Sequence, residues 1–185
     1  MSKIALYGKP GAGKSTFASL LADELVKAGG EVATVKVAAP LYQLQLIVYE
    51  MAGVPLVDPT RQDGRLLNFL GTEMRRINPR SLTDVFAARV QELERTRPEA
   101  LLVCDDLRGP DVDAVTALGF RLVEISAPAE VRALRKAGRG DLTAGDEQHP
   151  TEAQPLVDAW RRVRNAGSLE DLRGEAALLA GQVLR

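Results

Sequence analysis

Gly8, Gly13, Lys14 and Ser15 occupy the fixed positions of the pattern G-x-x-x-x-G-K-[ST]. The run Gly8-Lys9-Pro10-Gly11-Ala12-Gly13-Lys14-Ser15-Thr16 lies between an apolar stretch, Ile4 to Tyr7, and an apolar-periodic one, Phe17 to Leu25. That is the strand, loop, helix context in which such a run cradles phosphate. Glycines let backbone N–H groups close around an anion with no Cβ in the way. A helix beginning near Lys14 adds its unpaired N–H groups and the positive end of its dipole. Lys14 is then placed to supply a charge to the β and γ phosphates of a nucleoside triphosphate. The Ser15 hydroxyl is placed to ligate Mg²⁺, and Thr16 to reach the α-phosphate.

The other chemistry-bearing residues are acids and arginines. Asp105 and Asp106 close the apolar run Ala100 to Cys104, so they belong at the carboxyl end of a strand, beside the phosphate loop. Asp105 sits where an acid would hold Mg²⁺ through water, and either acid can fill that role, with the other capping the next turn. Arginines cluster at Arg75 and Arg76, at Arg108, and at Arg132, Arg135 and Arg139. Guanidinium forks bind phosphate bidentately and keep their charge, which suits a site that brings two anions together. A phosphate acceptor needs no general base, because its second pKa near 6 leaves the attacking oxygen ionised. The lone His149 is therefore read as a capping or lid-contact residue, and the lone Cys104 as a buried small hydrophobe. Asp106-Leu107-Arg108-Gly109 fits D-x-x-G, but no Asn-Lys-x-Asp follows to read guanine, and no Leu-Ser-Gly-Gly-Gln is present. A GTPase and a transporter-type ATPase are disfavoured on those grounds.

The elements that must position these groups alternate between strand and helix. Strands are expected at Lys3 to Tyr7, Glu31 to Val37, Ala100 to Cys104, Arg121 to Ile125 and Arg161 to Arg164. Helices are expected over Phe17 to Leu25, Pro40 to Gly53, Arg65 to Ile77, from Ser81, over Asp111 to Leu118, Pro128 to Lys136, and from Ser168. In the second of these, Leu41, Leu44, Ile47, Val48 and Met51 are taken to face the body. Ser81 with Asp84, Thr151 with Gln154, and Ser168 with Asp171 read as capping pairs. Gly138 to Pro150 loses periodicity and reads as a mobile surface segment. The expected fold class is α/β, a three-layer sandwich on a central parallel sheet of about five strands, with helical insertions over its carboxyl edge.

A chain of 185 residues fits one domain, 1–185, large enough to bury roughly 70% of its extended surface. With 24 basic and 25 acidic residues the net charge is −1, so no global field favours nucleic acid or membrane. One cysteine and no apolar run of membrane-spanning length suit a reducing cytoplasm.

Four segments, Leu70-Gly71-Thr72-Glu73-Met74-Arg75-Arg76, Asp106-Leu107-Arg108-Gly109-Pro110, Val131-Arg132-Ala133-Leu134-Arg135 and Asn165-Ala166-Gly167-Ser168-Leu169, follow the loop in order. Together they resemble the deoxynucleoside monophosphate kinases of bacteriophages, within the phosphate-loop nucleotide kinases. The resemblance implies transfer of the γ-phosphate of ATP, with Mg²⁺, to a deoxynucleoside 5′-monophosphate. It implies an acceptor-binding helical insertion at 39–80 and a lid at 132–150. Gly8, Pro10, Gly11, Ala12, Gly13, Lys14, Ser15 and Thr16 would hold ATP, with Asn165, Ala166 and Gly167 forming the turn near the adenine. Arg75, Arg76, Arg108 and Asp106 would hold the acceptor. Lys14, Arg108, Arg132, Arg135 and Arg139 would neutralise the moving phosphoryl, and Ser15, Asp105 and Asp106 would serve the metal; of the two acids Asp106 is the favoured functional one, because it falls on the family's Asp-x-Arg. Gly109-Pro110-Asp111 departs from the family's usual aromatic and acidic residues. The expected partners are the two nucleotides, with homodimerisation left open. Rival readings are a kinase of hydroxyl groups, such as a dephospho-coenzyme A or deoxynucleoside kinase, and a regulatory ATPase. Tyr42, Tyr49 and Trp160 are read first as packing residues and second as base-stacking ones.

Overall fold

The computed structural model describes residues 2–138, 140–146, 149–152 and 157–184. Five strands, β1 (Lys3–Tyr7), β2 (Val32–Thr34), β3 (Leu101–Cys104), β4 (Arg121–Ser126) and β5 (Arg161–Arg164), form one sheet in the order β2-β3-β1-β4-β5. Every neighbouring pair is parallel. Around them lie α1 (Lys14–Lys27), α2 (Ala39–Met51), α3 (Gly64–Ile77), α4 (Ser81–Thr96), α5 (Val112–Ala117), α6 (Ala129–Ala137) and α7 (Leu169–Val183). Short 3₁₀ turns occupy Gly109–Asp111 and Pro150–Glu152.

Alternation along the strands explains the layering. Ile4, Leu6, Leu101 and Val103 meet Phe17, Leu21 and Leu25 of α1 and Leu172, Ala176 and Leu179 of α7. Ala5, Tyr7, Leu102 and Cys104 meet Leu82, Phe86, Val90 and Leu93 of α4 and Val112 and Val115 around α5. Both faces are covered, so the strands read as continuous apolar runs. Cys104 is buried and unoxidised in this second layer. Burial first, and the Asp106 carboxylate next, push its thiol pKa well above the ordinary value.

Three local expectations are corrected. In α2 only Leu41 and Gln45 are buried, while Ile47, Val48 and Met51 face outward. The inward face is decided by Gln45, whose amide accepts from Asp63 N and donates to Arg61 O. Ser81 does not cap α4: Arg80 holds the cap position, Asp84 pairs with Arg80, and the Ser81 hydroxyl is buried without a partner. The expected second strand contracts to Val32–Thr34, although Val35 N still donates to Val103 O. At α7 the Ser168–Asp171 capping box is present. Gln154 of the third pair lies outside the described residues.

Candidate active site

The phosphate loop turns on glycine. Gly13, at φ 95°, caps α1 in the left-handed region, and a Cβ there would lie 2.3 Å from Asn165 Nδ2. A side chain would be strained and would collide. Asn165 is buried, and its amide donates to Ala12 O at 2.8 Å. Lys14 Nζ donates back to Gly8 O at 2.7 Å, so its charge lies across the mouth of the loop. Pro10, Gly11, Gly13, Lys14, Ser15 and Thr16 line a cavity of about 430 Å³, a size suited to small ligands. Gly8 and Ala12 support the loop, Ala12 from the core.

The rest of the wall comes from α3, the ends of β2 and β3 and the turn that follows β3. Arg75, Lys36, Asp105, Asp106, Arg108 and Asp111 all line the cavity. Arg75 Nη2 donates to Asp111 Oδ2 at 2.7 Å and Nη1 to Gly71 O at 3.2 Å. Its Nε is buried without a partner. Burial raises the Asp111 pKa, opposed by Arg75 and then Arg108. Lys36 Nζ lies 2.5 Å from Asp105 Oδ1. The two oxygens of Asp106 accept from Val37 N at 2.9 Å and Ala38 N at 3.0 Å, just ahead of α2. Its pKa is raised by burial, against the pull of those two N–H groups. Asp106 is thereby a tether between β3 and the start of α2. Asp105, 5% exposed and with no main-chain donor among the described residues, lines the cavity.

Several expected site residues stand elsewhere. Arg76 is 67% exposed and pairs with Glu73, outside the cavity wall, because one residue along a helix turns the side chain by about 100°. Arg132 Nη1 donates to Pro10 O at 3.3 Å, and Arg135 donates to Asn165 O and Oδ1 at 3.3 and 3.1 Å. These two arginines tie α6 to the phosphate loop, Arg132 directly and Arg135 through Asn165. Ala166 and Gly167 are exposed. Gly167 borders a shallower depression with Asn165, Ser168 and residues of α7, apart from the main cavity. Arg139 lies outside the described residues. Trp160 stacks on the Arg121 guanidinium, 3.9 Å from its ring centre. Tyr49 donates to Asp63 at 2.7 Å, and Tyr42 lines the cavity.

The expected mobile segment is, over 140–146, a strap laced to the start of α3. Leu142 N donates to Gln62 O, Gly64 N to Thr143 O, and Arg61 Nε to Gly140 O, at 2.9, 3.1 and 2.8 Å. Thr143 Oγ1 donates to Asp63 Oδ1 and accepts from Arg65 N. Burial acts to raise the Asp63 pKa, but hydrogen bonds from Thr143, Tyr49 and the Leu66 and Arg65 amides prevail and lower it. A Cβ on Gly64 would lie 2.2 Å from Gly145 N, so the strap approaches as closely as glycine permits. His149 Nε2 lies 3.1 Å from Thr72 Oγ1 and Nδ1 2.8 Å from Thr151 Oγ1, so the ring bridges α3 and the 3₁₀ turn at Pro150–Glu152.

Sequence reasoning passed over Lys36 and the role of Asp111. The signal for Lys36 was a lone cation between Val35 and Val37, at the carboxyl end of a strand where α/β folds bind ligands. The sequence carried no signal for Asp111, because its partner Arg75 is 36 residues away on α3.

For a divalent cation the described residues offer no cluster of three or more acidic, His or Cys ligands. The Ser15 hydroxyl and Asp105 carboxylate nevertheless share the cavity, and one or two hard oxygens with water is the donor set Mg²⁺ takes beside phosphates. No described helix is long and apolar enough to cross a membrane.

No protein-family model and no curated protein sequence matches this chain. Solved structures do match. An APS kinase, CysC, of Mycobacterium tuberculosis in complex with AMPPNP and APS is 17% identical at a TM-score of 0.55, each chain covered over 97%. A sugar kinase of Janibacter sp. HTCC2649 is 21% identical at a TM-score of 0.54, covering 99% of this chain and 95% of its own. A gluconokinase of Sinorhizobium meliloti 1021 is 19% identical at 0.54, covering 98% and 92%. What the likeness shows is the fold: this chain shares with those kinases an α/β architecture on a five-stranded parallel sheet.

Proposed function

We propose that this chain is an ATP-dependent kinase that transfers the γ-phosphate to a deoxynucleoside monophosphate. One observation carries the reading: a single cavity is lined by the phosphate loop and also by Arg75 and Arg108. Two cationic sites within one cavity suit transfer between phosphates, where catalysis is positioning and charge stabilisation. Loop N–H groups and Lys14 hold the donor, and Arg75 and Arg108 hold the acceptor phosphate. Arg132 and Arg135 tie the loop to α6, and the strap 140–146 closes the wall against water. Ser15 and Asp105 would hold Mg²⁺, which when bound offsets charge on the donor phosphates. Asp106 fixes the strand end from which Lys36 projects.

A second reading has its own support. Arg75 and Lys36 are already paired with Asp111 and Asp105, so the acceptor wall carries compensating acids, and Asp105 is placed to serve as a base for a hydroxyl acceptor. The APS kinase, sugar kinase and gluconokinase among the similar structures point the same way. Measuring ATP consumption against deoxynucleoside monophosphates, ribonucleoside monophosphates, nucleosides and sugars separates the two. Turnover stimulated only by monophosphates supports the first reading, and turnover stimulated only by hydroxyl acceptors overturns it. Slow turnover indifferent to every acceptor would instead mark a regulatory ATPase.

A further inference from the structure

We propose that Lys36 is a catalytic residue whose ammonium group contacts the phosphoryl group during transfer, held in place by Asp105. The inference rests on the phosphoryl-transfer reading above, and holds whether the acceptor is a phosphate or a hydroxyl. Strand parity places the pair. Val35 and Val37 belong to the core layer beneath α4, as do Leu102 and Cys104. Leu101 and Val103 belong to the layer of α1. Lys36 and Asp105 therefore project on the α1 side, the side from which Lys14 and Ser15 enter the cavity. All four residues line it.

The pair is asymmetric. Asp105 is 5% exposed, whereas the Lys36 side chain keeps 38% of its surface. An ammonium group has three donors, and the hydrogen bond to Asp105 Oδ1 answers one of them. The others can meet oxygens in the cavity. The tether from Asp106 to Val37 N and Ala38 N fixes the backbone next to Lys36, so the charge is positioned before any ligand arrives. Preorganised charge aimed at the group in flight lowers the barrier more than it tightens either ground state. Arg132 and Arg135 of α6 donate to Pro10 O and to Asn165, and Lys36 adds a charge that lines the cavity itself.

The test compares wild type with Lys36→Met, Lys36→Arg and Lys36→Met/Asp105→Asn, using the acceptor found by the screen above. Lys36→Met is expected to lower kcat by about 10²-fold while both KM values stay within about threefold, and Lys36→Arg to recover part of the loss. Affinity for ADP with aluminium fluoride, a mimic of the phosphoryl in transit, should fall by a similar factor while affinity for ADP alone holds. The double variant removes both charges together. Should Lys36→Met misfold, Lys36→Gln, which keeps a donor for Asp105 but no charge, is measured in its place: retained fluoride-complex affinity overturns the proposal, and lost affinity supports it. Unchanged kcat in Lys36→Met, or a loss confined to thermal stability and restored in the double variant, also overturns it. A wild-type chain that transfers phosphate to no acceptor overturns the functional reading and this inference together.

Discussion

The two halves of the cavity are held by different forces. On the side proposed to hold the donor the shape is set by main chain: left-handed glycine at Gly13, the N-terminus of α1, and Lys14 and Asn165 bonding loop carbonyls. On the side proposed to hold the acceptor it is set by charged side chains from distant elements, Arg75 on Asp111 and Lys36 on Asp105. A main-chain cradle depends on local order in the sequence and tolerates change around it. A side-chain cradle depends on each partner, because removing one leaves a buried charge unanswered.

The largest expected effect breaks the donor side alone. Lys14→Ala should lower turnover by about 10²-fold or more, as removal of a charge-stabilising donor does; activity within about threefold of wild type would exclude the loop as donor site. The acceptor side should instead fail through stability. Asp111→Ala leaves the Arg75 guanidinium largely buried and unpaired, a loss of about 2–4 kcal/mol, read by urea unfolding, whereas Asp111→Asn should lose less because it keeps an acceptor for Nη2. Neighbouring arginines sharpen the contrast. Arg75→Ala should raise the acceptor KM by about tenfold with little change in the KM for ATP, while Arg76→Ala, an exposed ion pair, should stay within about twofold. Reversed effects would return the acceptor to the outer face of α3.

The smallest effect concerns acid. Asp63 has a folded pKa below its unfolded value, so it binds fewer protons when folded. Its contribution is present above the unfolded value of about 3.9 and is lost as pH falls through the folded one. Protection from hydrogen exchange of the Leu142 and Gly64 amides, which bond between the strap and the start of α3, should weaken below about pH 4 in wild type. That dependence should flatten in Asp63→Asn.

How much of this was legible follows the same divide. Gly8 to Thr16 announced both a structure and a chemistry, because the glycines, the lysine and the helix start lie within nine residues of sequence, although Asn165 and Arg132 bond the loop from afar. The five strands and the Ser168 cap were legible for the same reason of locality. Arg76 was not separable from Arg75 until the helix rotation was known, and Asp106 looked like the functional acid until its oxygens were seen on Val37 and Ala38. The outward face of α2 was misread because a polar residue, Gln45, faces inward to satisfy the main chain of Arg61 and Asp63. No apolar periodicity reports a decision taken by a hydrogen bond.

The lacing of 140–146 to 61–65 carries a consequence for how the chain acquires its shape. Its bonds join positions about eighty residues apart, with β3 and β4 laid down between them. Contacts of that span repay loop closure only after the intervening sheet exists. The outer wall of the cavity is therefore among the last parts to assemble and, bearing few apolar contacts, among the first to open when the protein breathes. Brief proteolysis under native conditions should cut there before anywhere in α1 or α7.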